Sequence, residues 1–135
     1  MKHLGTKTIE TRRLVLRKFT LSDAEPMYRN WASDPEVTRY LLWPAHESEE
    51  ETKGILTALP IYSVYEKPEK YEWCIELKEI GEAIGSIGVV MVNEKVQSME
   101  VGYCLSCDYW HKGIMSEALS AVVEYLTNEV GARRI

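Results

Sequence analysis

The chain has 135 residues, 45% of them hydrophobic and 27% charged, which fits one domain with its own apolar core and excludes a disordered tail. Its 16 basic residues against 21 acidic ones give a net charge of −5, which argues against a general nucleic-acid binder because such binding depends on basic contacts with phosphate. The sequence has no apolar run that could span a bilayer, no signal peptide and 3 cysteines, so we expect a reduced, cytoplasmic, single-domain protein.

The first half of the chain predicts one β-strand followed by helices. Ile9–Phe19 is rich in β-forming side chains. Two Ser-x-x-Glu capping boxes, Ser22–Glu25 and Ser48–Glu51, indicate helix starts, and Asp34–Pro35 combines an N-cap with a proline in the first helical turn. We therefore expect three helices between this strand and the middle of the chain.

The middle of the chain changes to a period of two, which indicates β-strands. Tyr71–Leu77 and Ser98–Leu105 alternate apolar and polar residues, and Ala83–Val92 is more continuously apolar. In the last strand, Tyr103 falls on the face predicted to be buried. Only short turns separate the three segments, so we expect an antiparallel meander.

A long helix is predicted after the meander, over Gly113–Glu129. Its apolar stripe recurs at spacings of three and four, and consists of Ile114, Ala118, Val122, Tyr125 and Leu126. Gly131 is placed to end the helix, and Arg133–Ile135 reads as the opening of a further strand.

The segment from Leu105 to Met115 predicts a phosphate-binding loop. A strand ends, a short loop follows, and Gly113 opens the long helix. Free N–H groups at a helix start, together with the helix dipole, attract anions, and Lys112 adds a full positive charge. A single glycine before a helix more often reflects packing than phosphate binding. The pattern therefore supports a phosphate site only together with motifs elsewhere in the chain.

Five short motifs occur in an order that resembles one family. They are Glu10–Arg17, Asp34–Val37, Ile84–Gly88, Glu100–Tyr103 and Tyr109–Leu119. Together they resemble the GNAT superfamily of acetyl-CoA-dependent N-acetyltransferases, and most closely the branch that acetylates the N-termini of ribosomal proteins. The resemblance covers essentially the whole chain. It implies an α/β fold in which a mixed, mainly antiparallel central sheet, flanked by helices, splays into a V that holds acetyl-CoA.

The resemblance places the pyrophosphate of acetyl-CoA on the loop Trp110–Met115. Gly113 matches the family pattern Arg/Gln-x-x-Gly-x-Gly/Ala, whereas Trp110 replaces its Arg/Gln. His111 stands where this branch usually has glycine and Met115 where it has alanine or glycine, so both side chains are expected to crowd the phosphates and weaken binding. The implied cofactor-binding set is Cys104, Leu105, Ser106, Trp110, His111, Lys112, Gly113, Ile114, Met115 and Ser116.

Acyl transfer to an amine needs a proton acceptor and a donor for the oxyanion. The resemblance implies Glu100 as the candidate base, although a solvated or ion-paired carboxylate is the alternative, and it implies the Leu105 amide as the oxyanion donor. Glu100, Tyr40 and Trp43 are the candidate contacts of the acceptor, with ordinary packing as the alternative for the two aromatic residues. With one base and no visible general acid, the expected acceptor is a peptide N-terminal α-amino group or a small-molecule amine of similarly low pKa, rather than a lysine side chain.

The family domain continues beyond the pattern seen in residues 1–135, so the resemblance implies an incomplete domain with an open sheet edge. We expect such an edge to pair with a second copy and to leave the stripe of the long helix partly exposed. A catalytically degenerate CoA-binding or oligomerising module is the alternative function. Cys104, Cys107 and His111 resemble part of a zinc site, but a structural zinc needs four ligands, so no metal is expected.

Overall fold

The computed structural model describes residues 1–39, 44–57 and 64–135. Five β-strands form one sheet in chain order, and every neighbouring pair is antiparallel. The strands are β1 (Ile9–Glu10), β2 (Leu14–Arg17), β3 (Glu72–Leu77), β4 (Glu82–Asn93) and β5 (Ser98–Leu105). The predicted antiparallel meander of the last three strands is confirmed.

Helices flank this sheet. They are α1 (Ala24–Met27), which continues as a π-helical turn over Tyr28–Ala32, α2 (Pro35–Thr38), α3 (Glu49–Thr57) and α4 (Ile114–Tyr125), which continues as a π-helical turn over Leu126–Val130. Short 3₁₀ turns at Leu21–Asp23 and Cys107–Tyr109 precede α1 and α4. None of the helices in the described ranges is long and apolar enough to cross a membrane.

The two faces of the sheet are covered by different helices. α4 packs on one face, where Trp73 and Tyr125 meet edge to face with ring centroids 5.8 Å apart. The helices α1, α2 and α3 cover the other face, where a second apolar cluster surrounds the fully buried Cys74 and Trp31. Both faces being buried explains why β3 has buried residues at successive positions rather than strict alternation.

The apolar stripe of α4 is buried against the sheet, so its expected exposure is wrong. Ile114, Val122 and Tyr125 are each at most 4% exposed. Gly131 ends the helical segment as predicted, with a left-handed φ of 94°. The predicted further strand is present as a single parallel bridge between Arg134 and Ser98, at the start of β5.

The predicted strand Ile9–Phe19 is two strands, β1 and β2, joined by a tight turn. The Thr11 N–H donates to the Leu14 carbonyl (2.9 Å), which reverses the chain. Both pieces have the same β-forming composition, so the local pattern does not reveal the break. The turn is held by Glu117, a residue of α4 that is more than a hundred positions away.

The first predicted capping box is shifted by two residues. The Asp23 carboxylate accepts the Thr20 N–H (2.7 Å) before α1, in place of the predicted Ser22–Glu25 pair. Arg17 of β2 also binds Asp23 (2.8 Å), and this buried ion pair favours the earlier start. At α2 the predicted cap is confirmed, because the Asp34 side chain accepts the Glu36 N–H (2.9 Å).

Candidate active site

A cleft of about 440 Å³ lies beside β5, where the strand ends and α4 begins. Residues of β5, the following loop, the first turn of α4 and one residue of α2 line it. They are Val37, Tyr103, Cys104, Leu105, Tyr109, Trp110, His111, Gly113, Ile114, Met115 and Ser116. The cleft is thus the place where an unpaired strand edge meets a helix N-terminus.

The edge of β5 presents backbone groups toward this cleft. The Ser106 N–H donates to the Ile84 carbonyl on β4 (2.8 Å). Because N–H groups of successive strand residues point in opposite directions, the Leu105 N–H points away from β4. The indole N–H of Trp110 donates to the Leu105 carbonyl (2.8 Å), which holds the loop against the strand end.

Tyr103 lies on the predicted face of β5 but not in the apolar core. It follows the alternation of β5, in which Met99 and Leu105 are buried, but it is 55% exposed. The reason is its position at the cleft, where none of the described strands lies beside that stretch of the edge. An exposed tyrosine ring on a strand edge is available to a ligand lying along it.

The loop into α4 contains two residues in the left-handed region, His111 (φ 64°) and Gly113 (φ 75°). The left-handed φ, rather than a lack of space, is therefore the reason for a glycine at position 113. A Cβ built there would lie 3.5 Å from the Arg13 side chain, which is an ordinary contact distance. A glycine would adopt the left-handed φ of position 111 without strain in the same way. His111 adopts the conformation at a cost in strain.

His111→Gly is expected to stabilise the protein by about 1 kcal/mol, because the strain is removed from the loop. Thermal unfolding would measure this gain. Gln97→Gly is the matched control, because Gln97 has φ 56° in the turn between β4 and β5, away from the cleft. It should raise stability by a similar amount, and a His111→Gly variant no more stable than wild type would show that His111 is not strained.

Glu117, in the first turn of α4, ties the loop to the turn between β1 and β2. Its carboxylate accepts the Thr11 hydroxyl (2.5 Å), the Arg13 N–H (2.9 Å) and the Arg13 Nε–H (2.7 Å). Arg13 in turn donates from Nη1 to the Lys112 carbonyl (2.9 Å). The loop is therefore held at two points. Trp110 binds the end of β5, and Arg13, in the turn between β1 and β2, binds the Lys112 carbonyl.

The Glu117 carboxylate is strongly stabilised in its ionised form. Burial raises its pKa, but the hydrogen bonds from Thr11 and Arg13 and the charge of Arg13 outweigh burial and lower the pKa to about 2. The negative charge also lies near the positive end of the α4 dipole. This carboxylate belongs to a structural ion pair, and its protonation is confined to strongly acidic solution.

Most of the sequence-predicted cofactor residues are brought together. All of that set except Ser106 and Lys112 line the cleft. Ser106 is 1% exposed, and in the described part of the chain its Oγ is a buried side-chain oxygen without a hydrogen-bond partner. Lys112 is exposed, with its ammonium 5.6 Å from the centre of the Tyr109 ring.

The predicted acceptor contacts are only partly described. Glu100 lies exposed on β5, opposite Met91 of β4, on the sheet face that α1, α2 and α3 cover. Tyr40 and Trp43 lie outside the described residues. Sequence reasoning missed Val37, Tyr103 and Tyr109 as lining residues, although each of them lies within a quoted motif.

The three residues that resembled part of a zinc site have other roles. The Cys104 thiol lies 3.2 Å from the Ser86 hydroxyl, whereas the Cys107 thiol donates to Asp34 (3.0 Å). Burial raises the pKa of Cys104, and the hydrogen bond with Asp34 raises that of Cys107, each to about 11. Over residues 1–39, 44–57 and 64–135, no group of three or more His, Cys, Asp or Glu side chains is arranged to hold a metal ion.

Comparison with known proteins agrees with this geometry. The family model described as acetyltransferase (GNAT) domain matches residues 13–135. The uncharacterized N-acetyltransferase YoaA of Bacillus subtilis (strain 168) is 34% identical over 127 residues, which are 94% of this chain and 70% of YoaA. The chain therefore belongs to the GNAT family of acetyl-CoA-dependent acetyltransferases.

Solved structures share the fold at lower identity. A GNAT-family acetyltransferase from Bacillus anthracis has a TM-score of 0.73 and 23% identity, over 92% of this chain and 68% of that one. RimL, an alpha-N-protein acetyltransferase of a ribosomal protein, has a TM-score of 0.76 and 19% identity, over 94% of this chain and 68% of its own. These likenesses show the α/β fold with its five-stranded antiparallel sheet and flanking helices.

Proposed function

We propose that the cleft beside β5 binds acetyl-CoA and that the protein transfers the acetyl group to a primary amine, most suitably an α-amine. The observation that carries the proposal is the meeting of an unpaired strand edge with the N-terminus of a twelve-residue helix. The pyrophosphate would lie on the N–H groups of residues 111–116, where the helix dipole and Lys112 favour negative charge. The left-handed φ of His111 and Gly113 shapes the loop that would present these amides.

The pantetheine arm of acetyl-CoA would run along the edge of β5. Its amide groups can pair with the outward-facing backbone of that strand, as an added strand does. Leu105, the last residue of β5, would direct its N–H at the thioester oxygen and stabilise the developing oxyanion. The buried Ser106 hydroxyl, which lacks a partner in the described part of the chain, supports a polar contact at the same strand end.

The acceptor nitrogen must be neutral before it can attack the thioester. Glu100 would take the ammonium proton, directly or through water, from its position on β5. Tyr40 and Trp43 would border the acceptor. Glu100 lies on the sheet face opposite α4, so the acceptor is proposed to approach β5 from that side.

An α-amino group suits this site better than a lysine side chain. At pH 7 an α-amine with a pKa of about 7.8 is roughly 14% neutral, whereas a lysine with a pKa of about 10.4 is only about 0.04% neutral. RimL, which shares the fold, acetylates an α-amine, as its name states. The protein is therefore proposed to act on peptide N-termini or similar weakly basic small amines.

Acetylation assays with three acceptors would test this proposal. The acceptors are a peptide with a free N-terminus and no lysine, a lysine peptide with a blocked N-terminus, and a polyamine. We expect the first to react fastest at pH 7 by at least about tenfold, in line with its larger neutral fraction. Preferential acetylation of the blocked peptide would overturn the acceptor assignment. Binding of acetyl-CoA without transfer to any of the three would instead support the catalytically degenerate module.

A further inference from the structure

A β-bulge directs two neighbouring apolar side chains to the same face of the sheet. The register of β4 against β5 shifts between Val89 and Met91, so Val90 is an extra residue in β4. In a regular strand Val90 and Met91 would point to opposite faces. Met91 pairs with Glu100 of β5 and shares its face. Val90 lies on that face too, because its Cγ1 is 2.8 Å from a Cβ built on Gly102, two residues along the strand from Glu100.

Both apolar side chains are exposed to solvent. Val90 is 65% exposed and Met91 62%, although α1, α2 and α3 cover the same sheet face around Cys74. These helices therefore do not reach the level of the bulge. The exposed pair adjoins the cleft, because Val90 lies over Gly102, and Cys104, the next residue of β5 on this face, lines the cleft.

A carboxylate stands directly beside the apolar pair. Glu100 is exposed, and no hydrogen bond or ion pair to its side chain occurs among the residues that the structure describes. Side chains of directly opposed strand residues lie about 5 Å apart, so an ammonium at Glu100 is within reach of the Met91 side chain. Charge attraction and an apolar contact are thus available to one molecule at the same time.

This combination fits the first residue of a peptide. The side chain of that residue branches from the carbon atom that carries the amine, so it lies close to the nitrogen. With the nitrogen beside Glu100, an apolar side chain would cover Val90 and Met91 and remove part of their surface from water. A polyamine or a lysine side chain has only a linear chain next to its nitrogen and would cover less of the pair.

We propose that Val90 and Met91 bind the apolar side chain of the acceptor's N-terminal residue. The protein then prefers peptides that begin with leucine, or with a similar apolar residue, to peptides that begin with glycine or aspartate. This inference rests on the proposed function and keeps Glu100 as the group beside the ammonium. Val90 and Met91 determine specificity, because they contact the acceptor and take no part in proton transfer.

Three lysine-free peptides that differ only in a first residue of leucine, glycine or aspartate test the inference on the full chain. We expect kcat/KM of wild type to be about tenfold higher for the leucine peptide than for the glycine peptide, because apolar surface is buried. The aspartate peptide should react slowest, because its side-chain carboxylate is repelled by Glu100.

Polar replacements of the apolar pair should abolish this preference. We expect the ratio of kcat/KM for leucine and glycine peptides to fall to about 3 in Val90→Ser, and to about 1 when Met91→Gln is added. The dissociation constant of coenzyme A should stay unchanged in both. Val96→Ser is the matched control, because Val96 is also an exposed valine, in the turn between β4 and β5, and its ratio should equal that of wild type.

The outcomes separate this inference from the proposed function. Equal kcat/KM for leucine and glycine peptides in wild type, or a ratio that the Val90 and Met91 replacements do not change, would overturn the inference alone. Absence of acetylation with every peptide would overturn the proposed function. Sedimentation should give wild type and the double variant the same mass, whereas a wild-type dimer that the double variant dissociates would assign the pair to contact between copies and overturn the inference.

Discussion

Gly113→Val is expected to reduce the affinity for coenzyme A by about 30-fold or more. Gly113 has φ 75°, a conformation that a β-branched residue adopts only at a cost of roughly 2–3 kcal/mol. If the loop relaxes to avoid that cost, the amides of residues 111–116 lose their common direction, and about 2 kcal/mol of binding corresponds to about 30-fold. The physical reason is the backbone conformation, because a Cβ at this position has room.

Gly54→Ala is the matched control for this variant. Gly54 lies in α3, no atom lies within 4 Å of a Cβ built on it, and its φ is not positive. It should leave the coenzyme A affinity unchanged and stabilise the helix by up to about 1 kcal/mol. Isothermal titration of both variants gives the comparison. Equal coenzyme A affinity of wild type and Gly113→Val would show that the loop does not bind the cofactor.

Glu117→Ala is expected to destabilise the protein by about 2 kcal/mol and to weaken coenzyme A binding at the same time. The variant loses three hydrogen bonds to a charged acceptor, from the Thr11 hydroxyl and from two groups of Arg13. Arg13 then no longer holds the Lys112 carbonyl from a fixed position. Glu124→Ala, an exposed residue on the same helix, should change stability by less than about 0.5 kcal/mol.

The contribution of Glu117 should depend on pH with a definite sign. Its pKa in the folded protein, about 2, lies below the ordinary value of 4.5, so the stabilisation is complete above pH 4.5 and is lost as the pH falls through 2. The difference in unfolding free energy between wild type and Glu117→Gln should therefore shrink from pH 6 to pH 2. A difference that stays constant over this range would show that the carboxylate charge contributes nothing.

Local sequence patterns were sufficient to predict much of the sheet and the last helix. The bounds of β5 match the predicted Ser98–Leu105, because both its turns and its alternation are encoded within a few residues. The Gly131 cap and the positions of the apolar stripe of α4 follow from local spacing in the same way, although the stripe is more buried than predicted. These features depend on residues that are close in sequence, so a local sequence pattern can predict them.

The failures share a physical cause, which is contact between distant parts of the chain. The turn between β1 and β2 depends on Glu117, and the start of α1 depends on the ion pair of Asp23 with Arg17. Neither contact leaves a local signal. Tyr103 likewise follows its predicted alternation but is exposed because the strand edge beside it is open.

The sequence predicted where the candidate site lies better than it predicted the properties of the residues that form it. The strand, loop and helix entry predicted the position of the cleft, yet the left-handed φ of His111 is a property of the folded loop alone.

An NMR titration of the ¹⁵N-labelled chain with coenzyme A tests the central claim most directly. The account predicts saturable shifts concentrated in the backbone amides of residues 111–116 and of Leu105, with small changes along β1 and β2. Such a pattern reports contact with the loop and the strand edge in a single measurement. Saturable shifts confined to another surface, or none at all, would contradict the account.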